Sequence, residues 1–305
     1  MLMVVALGGN ALLRHGEPVS AEAQRDNVRT AAIQLAKAAA GHDLVIVHGN
    51  GPQVGMLAMQ AGSFPLDVLD AETEGMIGYM IEQEMRNLLP AGRACVTLLT
   101  MVEVSAADRA FTHPDKPIGP RYTAAEAALA SAGKGGWTLA PQGEMVQRVV
   151  PSPKPVRMLE IEPVRWLLEH GCVVICAGGG GIPVVAETQE RYRGVEAVVD
   201  KDRSAAMLAA DLKADLFVIA TDVQGVYLDW GKPSLRLIAR ANPETLEALA
   251  FSAGSMAPKV EASCEFARRT GHRAVIGALT DIEAMISGKA GTSIDAGMVG
   301  IQEGG

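Results

Sequence analysis

Short apolar runs alternate with longer segments in which apolar and polar residues recur at helical spacing. The first run, 3–7, reads Met-Val-Val-Ala-Leu and predicts a buried strand. Runs of the same kind at 44–48, 173–177, 216–220 and 273–277 predict further strands. Continuous apolar strands separated by helices are typical of a parallel sheet that is covered on both faces. We therefore expect a three-layer αβα sandwich with a largely parallel, open central sheet.

The segments between these strands predict helices. Ser20 is placed to cap a helix over 21–40, and Gly41 to end it. A long strand is expected at 94–104, where Thr97 and Thr100 favour extended backbone. The remaining helices are predicted at 52–61, 68–89, 123–132, 162–170, 203–212, 243–250, 260–270 and 281–287.

The alternation stops between residues 111 and 156, a segment that holds seven of the 16 prolines. Proline removes a backbone donor and fixes φ, so it interrupts both helices and central strands. We expect a small protruding lobe of hairpins with one helix, which acts as a lid. The lobe is inserted in a single domain that spans residues 1–305.

Composition and charge narrow the function classes. The chain has 305 residues and a formal net charge of −8, from 27 Lys and Arg against 35 Asp and Glu. This balance disfavours a basic surface for nucleic acid or membranes. The apolar, uncharged stretch 172–186 contains four consecutive glycines and is too short to cross a bilayer. The N-terminus carries no basic leader, and four cysteines in apolar runs predict free thiols in a reducing, cytoplasmic compartment.

Three glycine-rich turns each follow a predicted buried strand: Gly8-Gly9-Asn10, Gly49-Asn50-Gly51 and the four glycines 178–181. Such turns expose backbone N–H groups to an anion, and a following helix N-terminus adds partial positive charge. One turn alone also fits ordinary chain reversal, but three together favour phosphate binding. No G-x-x-x-x-G-K-[ST] motif occurs, and the spacing 49-51-55 is one residue too long for a dinucleotide fingerprint.

Three lysines are candidates for phosphate contacts. Lys201 lies between Asp200 and Asp202 at the start of a predicted helix, and Lys259 follows Pro258 before another. Lys116 lies in the proline-rich lobe. Each alone is more often a solvated surface lysine. Carboxylates beside Lys201 can hold its ammonium in place or coordinate Mg²⁺ through water.

Seven motifs, in this order, resemble those of the carbamate kinases in the amino-acid kinase superfamily: LGGNAL, VHGNGPQVG, KPIGP, VPSPKP, AGGGGIPV, DKD and GSMAPK. The resemblance covers essentially the whole chain, including the lobe. It implies an open αβα sandwich, a homodimer and Mg²⁺-dependent, reversible transfer of a phosphoryl group. The implied substrates are ATP and carbamate, and the implied products are ADP and carbamoyl phosphate.

The same resemblance implies roles for individual residues in three groups. Those implied to bind the phosphoryl group and carbamate are Gly8, Gly9, Asn10, Gly49, Asn50, Gly51, Gly178, Gly179 and Gly180. Those implied to be catalytic are Lys116, Lys201, Asp202 and Lys259, with Asp202 orienting the last two lysines. Those implied to hold the nucleotide are Lys201, Thr221, Asp222, Val223, Tyr227, Met256, Pro258 and Lys259.

Three functions remain open at this point. The first is a carbamate kinase, and the second is another acid-phosphorylating member of the superfamily, such as an acetylglutamate-type or phosphonate kinase. The third is a non-catalytic nucleotide sensor. Lys116 would replace a first-strand lysine of acetylglutamate kinases, which this chain lacks, and this favours the first function. His48 is interpreted as orienting the second glycine turn rather than acting as a base.

Overall fold

The computed structural model describes residues 1–12, 20–60, 64–131, 137–188, 191–251 and 255–304. The predicted helix ends at Ala61 and Ala132 lie outside these residues, and so does the side chain of Asn10.

The strands and helices below are numbered in chain order. The strands are β1 (Leu2–Leu7), β2 (Asp43–His48), β3 (Cys95–Thr97), β4 (Met101–Val104), β5 (Lys116–Tyr122), β6 (Thr138–Gln142), β7 (Met145–Val150), β8 (Pro155–Met158), β9 (Val173–Ile175), β10 (Ile182–Thr188), β11 (Arg191–Gly194), β12 (Leu216–Thr221), β13 (Tyr227–Leu228), β14 (Arg236–Ala241), β15 (Arg273–Ala278), β16 (Thr292–Ile294) and β17 (Ile301–Glu303). The helices are α1 (Gly9–Leu12), α2 (Ala21–Ala39), α3 (Gly51–Gln60), α4 (Leu66–Leu88), α5 (Ala124–Ser131), α6 (Ile161–Glu169), α7 (Lys201–Asp211), α8 (Pro243–Glu247), α9 (Met256–Thr270) and α10 (Ile282–Ile286).

The central sheet has the strand order β13-β14-β16-β15-β12-β1-β2-β9-β3, and β17 pairs with β14. The strands from β15 through β12, β1, β2 and β9 to β3 are all parallel. Among the described strands of this central sheet, antiparallel pairs occur only towards the β13 end. The expected largely parallel open sheet is thus confirmed.

Alternate residues of β1 point to opposite faces of the sheet and enter two separate cores. Val4 and Ala6 pack in a core with α6, α7 and α9. Met3, Val5 and Leu7 pack in a second core with α2, α4 and α10. Because β1 is buried on both faces, its sequence is apolar throughout, and the two helix layers complete the αβα sandwich.

Helix α2 shows how local sequence sets an element's bounds. The Ser20 hydroxyl accepts a hydrogen bond from the backbone N–H of Ala23 at 3.2 Å, which caps the first turn. At the other end Gly41 adopts φ +73°, a conformation that favours glycine after a helix. Both predicted boundary residues therefore act at the ends of α2.

The expected single strand over 94–104 is wrong. It is divided into β3, which joins the central sheet, and β4, which joins a second sheet of order β11-β10-β4-β8. Between them the Glu74 carboxylate accepts a hydrogen bond from the backbone N–H of Thr100. The Thr100 hydroxyl bonds the carbonyl of Leu98. These side-chain bonds replace ladder bonds, so the chain turns away from the central sheet.

The segment between β4 and β8 contains a third, antiparallel sheet of order β5-β7-β6, with α5 packed beside it. It contacts the sandwich through a small apolar cluster that includes Val54 of α3, Ile118 of β5 and Val150 of β7. Strands β10, β11, β13, β14, β16 and β17 and the short helix α1 were not expected from the sequence. Within the described residues, no helix has the length and apolar character needed to cross a membrane.

Candidate active site

The glycine turns meet because β12, β1, β2 and β9 are adjacent and parallel, so their carboxyl ends share one edge of the sheet. Backbone hydrogen bonds extend past the strand ends and join the turns to neighbouring strands. Gly8 N–H donates to the carbonyl of Ala220 at 2.8 Å, and Gly49 N–H donates to that of Leu7 at 3.2 Å. The first two turns are thereby fixed side by side above the sheet.

Two cavities lie at this edge. The larger, of about 860 Å³, is lined by Gly9, Gly49, Asn50, Gly51, Lys116, Gly179, Lys201, Asp202, Pro258 and Lys259 from the predicted set. The smaller, of about 480 Å³, is lined by Thr221, Asp222, Val223, Tyr227, Met256 and Lys259 from that set. Ser255 and Lys259 line both cavities. The structure therefore brings these predicted residues together in two adjoining spaces.

The three candidate lysines come from separate parts of the chain and meet two aspartates. Lys201 Nζ lies 2.6 Å from Asp202 Oδ1, and Lys259 Nζ lies 3.0 Å from Asp202 Oδ2. Lys116 Nζ, from β5, lies 2.6 Å from Asp200 Oδ2. The other oxygen of Asp200 caps α7 by accepting from the N–H groups of Asp202 and Arg203. Asp200 and Asp202 thus form ion pairs with lysines of β5, α7 and α9.

The ionisation of this cluster follows from burial and pairing. Burial favours the neutral acid for Asp202, but Lys201 and Lys259 outweigh it and hold the pKa of Asp202 below its usual range. Burial also opposes the charge of Lys259, yet the attraction of Asp202 prevails and raises the pKa of this lysine. Burial lowers the pKa of Lys201. The aspartates are therefore anions that hold ammonium groups at the cavity wall.

The third glycine turn packs against His48 and Glu74. A Cβ on Gly178 would lie 2.3 Å from His48 Cε1 and 3.0 Å from Glu74 Cγ. The Glu74 carboxylate accepts a hydrogen bond from the Gly178 N–H at 2.8 Å. Burial lowers the pKa of His48 to about 4 and raises that of Glu74 to about 8. His48 is thus a buried neutral ring beneath the turn, with Nδ1 3.3 Å from the carbonyl of Gly49.

The side chain of Asn50 is hydrogen-bonded to two residues of α4. Its Nδ2 lies 2.9 Å from Asp70 Oδ1 and 2.9 Å from Thr73 Oγ1. Above it, a Cβ on Gly179 would lie 2.2 Å from the same Nδ2 atom. Gly179 also has φ +68°, so only glycine both adopts the turn and leaves room for Asn50.

Some predicted residues do not line the cavities, and some residues that support the site were not predicted. Gly8, Gly178 and Gly180 are not among the described lining residues of either cavity. Asp70, Thr73 and Glu74, which support the turns, were missed in the sequence. Their spacing of three and four residues on the apolar face of a predicted helix is a pattern that could have indicated them.

The chain belongs to the amino acid kinase family, whose model matches residues 1–278. Within that family its curated relatives include carbamate kinases. The carbamate kinase of Haemophilus influenzae is 54% identical over 99% of both chains. That of Escherichia coli K12 is 46% identical over 96% of this chain and 98% of the relative.

Solved structures agree with this placement. The carbamate kinase of Giardia lamblia, bound to AMP-PNP, superposes with a TM-score of 0.86 at 38% identity. The match covers 96% of this chain and 98% of that one. An isopentenyl phosphate kinase, at 16% identity and a TM-score of 0.56, shares the fold alone.

Proposed function

We propose that this chain is a carbamate kinase, which transfers a phosphoryl group reversibly between ATP and carbamate to give ADP and carbamoyl phosphate. The observation that carries the proposal is the meeting of Lys116, Lys201 and Lys259 at one cavity beside the three glycine turns. The identity to curated carbamate kinases over nearly the whole chain supports the same function.

The chemistry requires positioning and charge rather than a general base. Carbamate is an oxyanion at neutral pH, so one of its oxygens attacks the γ-phosphorus directly. A phosphorus–oxygen bond forms to carbamate while the bond to the bridging oxygen of ADP breaks. Ammonium groups and backbone N–H groups neutralise the charge that spreads over the three equatorial oxygens. In this scheme Lys201 and Lys259 clamp the nucleotide phosphates, and Gly9 and Asn10 contact the transferring group, while Gly8 fixes their turn to β12 through its bond to Ala220.

The smaller cavity suits the adenosine part of the nucleotide. Tyr227 and Trp230 line it with their rings 5.5 Å apart, and Met256 adds apolar surface. Lys259 lines both cavities. A nucleotide whose adenosine occupies the smaller cavity would extend its phosphates past Lys259 into the larger one. Adenosine and carbamate would thus occupy different cavities, with the phosphoryl group between them.

We take Mg²⁺ as part of the nucleotide substrate, carried on its phosphates. Within the described residues, no group of three or more His, Cys, Asp or Glu is arranged to hold a metal ion. The carboxylates of Asp200 and Asp202 at the cavity are already engaged by lysines. Mg²⁺ that keeps its waters and binds mainly phosphate oxygens fits this arrangement.

Residues 111–156 are proposed to act as a lid within the single domain 1–305. Lys116 reaches from β5 to Asp200 beside α7, and so spans from the lobe to the sandwich. A lid that brings a cation to the phosphates on closing also excludes water from them. A homodimer and a cytoplasmic location complete the proposal. The four thiols are free and buried, which suits a reducing compartment.

The test is to incubate the protein with carbamoyl phosphate, ADP and Mg²⁺ and to measure ATP with a coupled assay. We expect ATP formation well above that of a Lys201→Ala control. The alternatives are tested in parallel with N-acetylglutamate and a small phosphonate as acceptors for ATP. No ATP from carbamoyl phosphate, with turnover of one of those acceptors, would reject the carbamate assignment. No turnover with ADP still bound would indicate the nucleotide sensor.

A further inference from the structure

Asn50 lines the larger cavity, and the hydrogen bonds of its side chain determine which atom can meet a ligand. Asn50 Nδ2 lies 2.9 Å from both Asp70 Oδ1 and Thr73 Oγ1. An amide nitrogen carries two hydrogens, so these two bonds use both of them. The side-chain carbonyl oxygen, Oδ1, is then the atom with which Asn50 can accept a hydrogen bond from a ligand.

Thr73 removes the ambiguity of the amide orientation. Its hydroxyl has one hydrogen, and the carbonyls of Leu69 and Asp70 each lie 3.0 Å away to accept it. With its hydrogen on either carbonyl, the Thr73 oxygen faces Asn50 as an acceptor, and it lies 2.9 Å from Nδ2. A flipped amide would place two acceptor oxygens against each other. The arrangement that keeps the Thr73 hydroxyl bonded to the α4 backbone therefore places the NH₂ group of Asn50 against α4.

We infer that Asp70 and Thr73 are positioning residues, which orient Asn50 so that its Oδ1 accepts a hydrogen bond from the amino group of carbamate. This inference rests on the proposed function. Carbamate and acetate differ by an amino group in place of a methyl group, and only the amino group can donate. A buried acceptor that meets a methyl group is left unpaired, which penalises the analogue. The α4 contacts thereby select the substrate without touching it.

Acetyl phosphate and carbamoyl phosphate give a direct measure of this selection. In each case the phosphorus–oxygen bond of the acyl phosphate breaks, a bond forms to the terminal oxygen of ADP, and the carboxylate or carbamate leaves. The measured quantity is kcat/KM for carbamoyl phosphate divided by kcat/KM for acetyl phosphate. Because both donors share the phosphoryl chemistry, a general loss of activity cancels in this ratio.

The matched variants are Thr73→Val, which removes the acceptor with little change of shape, and Thr73→Ser, which retains it. We expect Thr73→Val to lower the ratio by about tenfold, which is the effect of losing about one hydrogen bond. Thr73→Ser should leave the ratio unchanged. Asp70→Asn should lower the ratio as well, because an amide at position 70 can pair with either orientation of Asn50. If Asp70→Asn does not fold, the comparison of Thr73→Val with Thr73→Ser tests the inference by itself.

An unchanged ratio in Thr73→Val, or an equal loss in Thr73→Ser, would overturn the inference. Failure of the proposed function has a different signature, since the unmodified protein would then make no ATP from carbamoyl phosphate. An active enzyme whose ratio is the same in all variants contradicts only the role of Asp70 and Thr73.

Discussion

Segment 111–156 packs closely on the sandwich where two glycines meet, Gly55 of α3 and Gly119 of β5. A Cβ placed on Gly55 would lie 2.1 Å from both Cα and N of Gly119. Both atoms belong to backbone, which cannot rotate away as a side chain can. The substitution Gly55→Ala must therefore separate α3 from β5.

The size of the separation follows from the geometry. Ordinary van der Waals contact begins at 3.4 Å, so β5 must recede by about 1.3 Å from its 2.1 Å approach. Lys116 lies three residues before Gly119 on β5, and its Nζ is 2.6 Å from Asp200. If Lys116 contacts phosphate as proposed, a displacement of this size costs up to about 100-fold in rate. We expect kcat/KM for ATP formation to fall by about 10- to 100-fold, with Kd for ADP unchanged.

The matched control is Gly75→Ala in α4, where an added Cβ meets no atom within 4 Å. This variant should keep its kinetics and gain about 0.5–1 kcal/mol in free energy of unfolding, since alanine favours a helix interior over glycine. Steady-state kinetics give kcat/KM of both variants, and urea denaturation gives their free energies of unfolding. A Gly55→Ala enzyme that retains the kcat/KM of Gly75→Ala would refute the reasoning.

Three further predictions concern two lysines, a helix cap and a buried acid. Lys201→Ala and Lys259→Ala should each lose about 2–4 kcal/mol of transition-state stabilisation, because each removes one preorganised charge, and kcat/KM measures this. Ser20→Ala should lower the free energy of unfolding by about 1 kcal/mol in urea denaturation with unchanged kinetics, because it removes the cap of α2. The folded pKa of Glu74 is raised to about 8 from 4.5, so its contribution to stability is full below pH 4.5 and is lost as pH rises through 8. Relative to Glu74→Gln, the unmodified protein should therefore lose stability between pH 4.5 and 8 in urea denaturation.

Each of these has an outcome that contradicts it. Less than about tenfold loss in kcat/KM for either lysine variant would remove it from the phosphate clamp. An unfolding free energy of Ser20→Ala equal to that of the unmodified protein would mean that the cap contributes nothing. A constant difference in stability between the Glu74→Gln variant and the unmodified protein across pH 4.5–8 would show that Glu74 is already ionised in the fold.

The parts of the fold that could be predicted are those in which one segment carries its own pattern. β1, β2, β12 and β15 are continuous apolar runs because both faces of these strands are buried, and their bounds lie within one or two residues of expectation. The division of 94–104 could not be predicted in this way. Its apolar residues fit one long strand, and the break depends on Glu74, a residue distant in sequence whose carboxylate binds Thr100.

The candidate site shows the same division. The glycine turns and the three lysines could be found because their residue types and flanking motifs are local and chemically distinctive. Which oxygens hold those lysines could not be read from the chain, since Lys116 and Asp200 are 84 positions apart. Asp70 and Thr73 were missed because, on an amphipathic helix, polar residues are normally assigned to its solvent face.

The amino-acid sequence by itself determined the alternation of strands and helices, the chemistry of the turns and the resemblance that points to phosphoryl transfer. These properties reside in single segments, where spacing and residue type act over a few positions. Tertiary structure alone decided which residues of α4 bind the Asn50 side chain, how closely α3 approaches β5, and which aspartate anchors each lysine. Such features are set by distances of a few ångströms between segments far apart in the chain, and only the packing of the two cores and of segment 111–156 defines those distances.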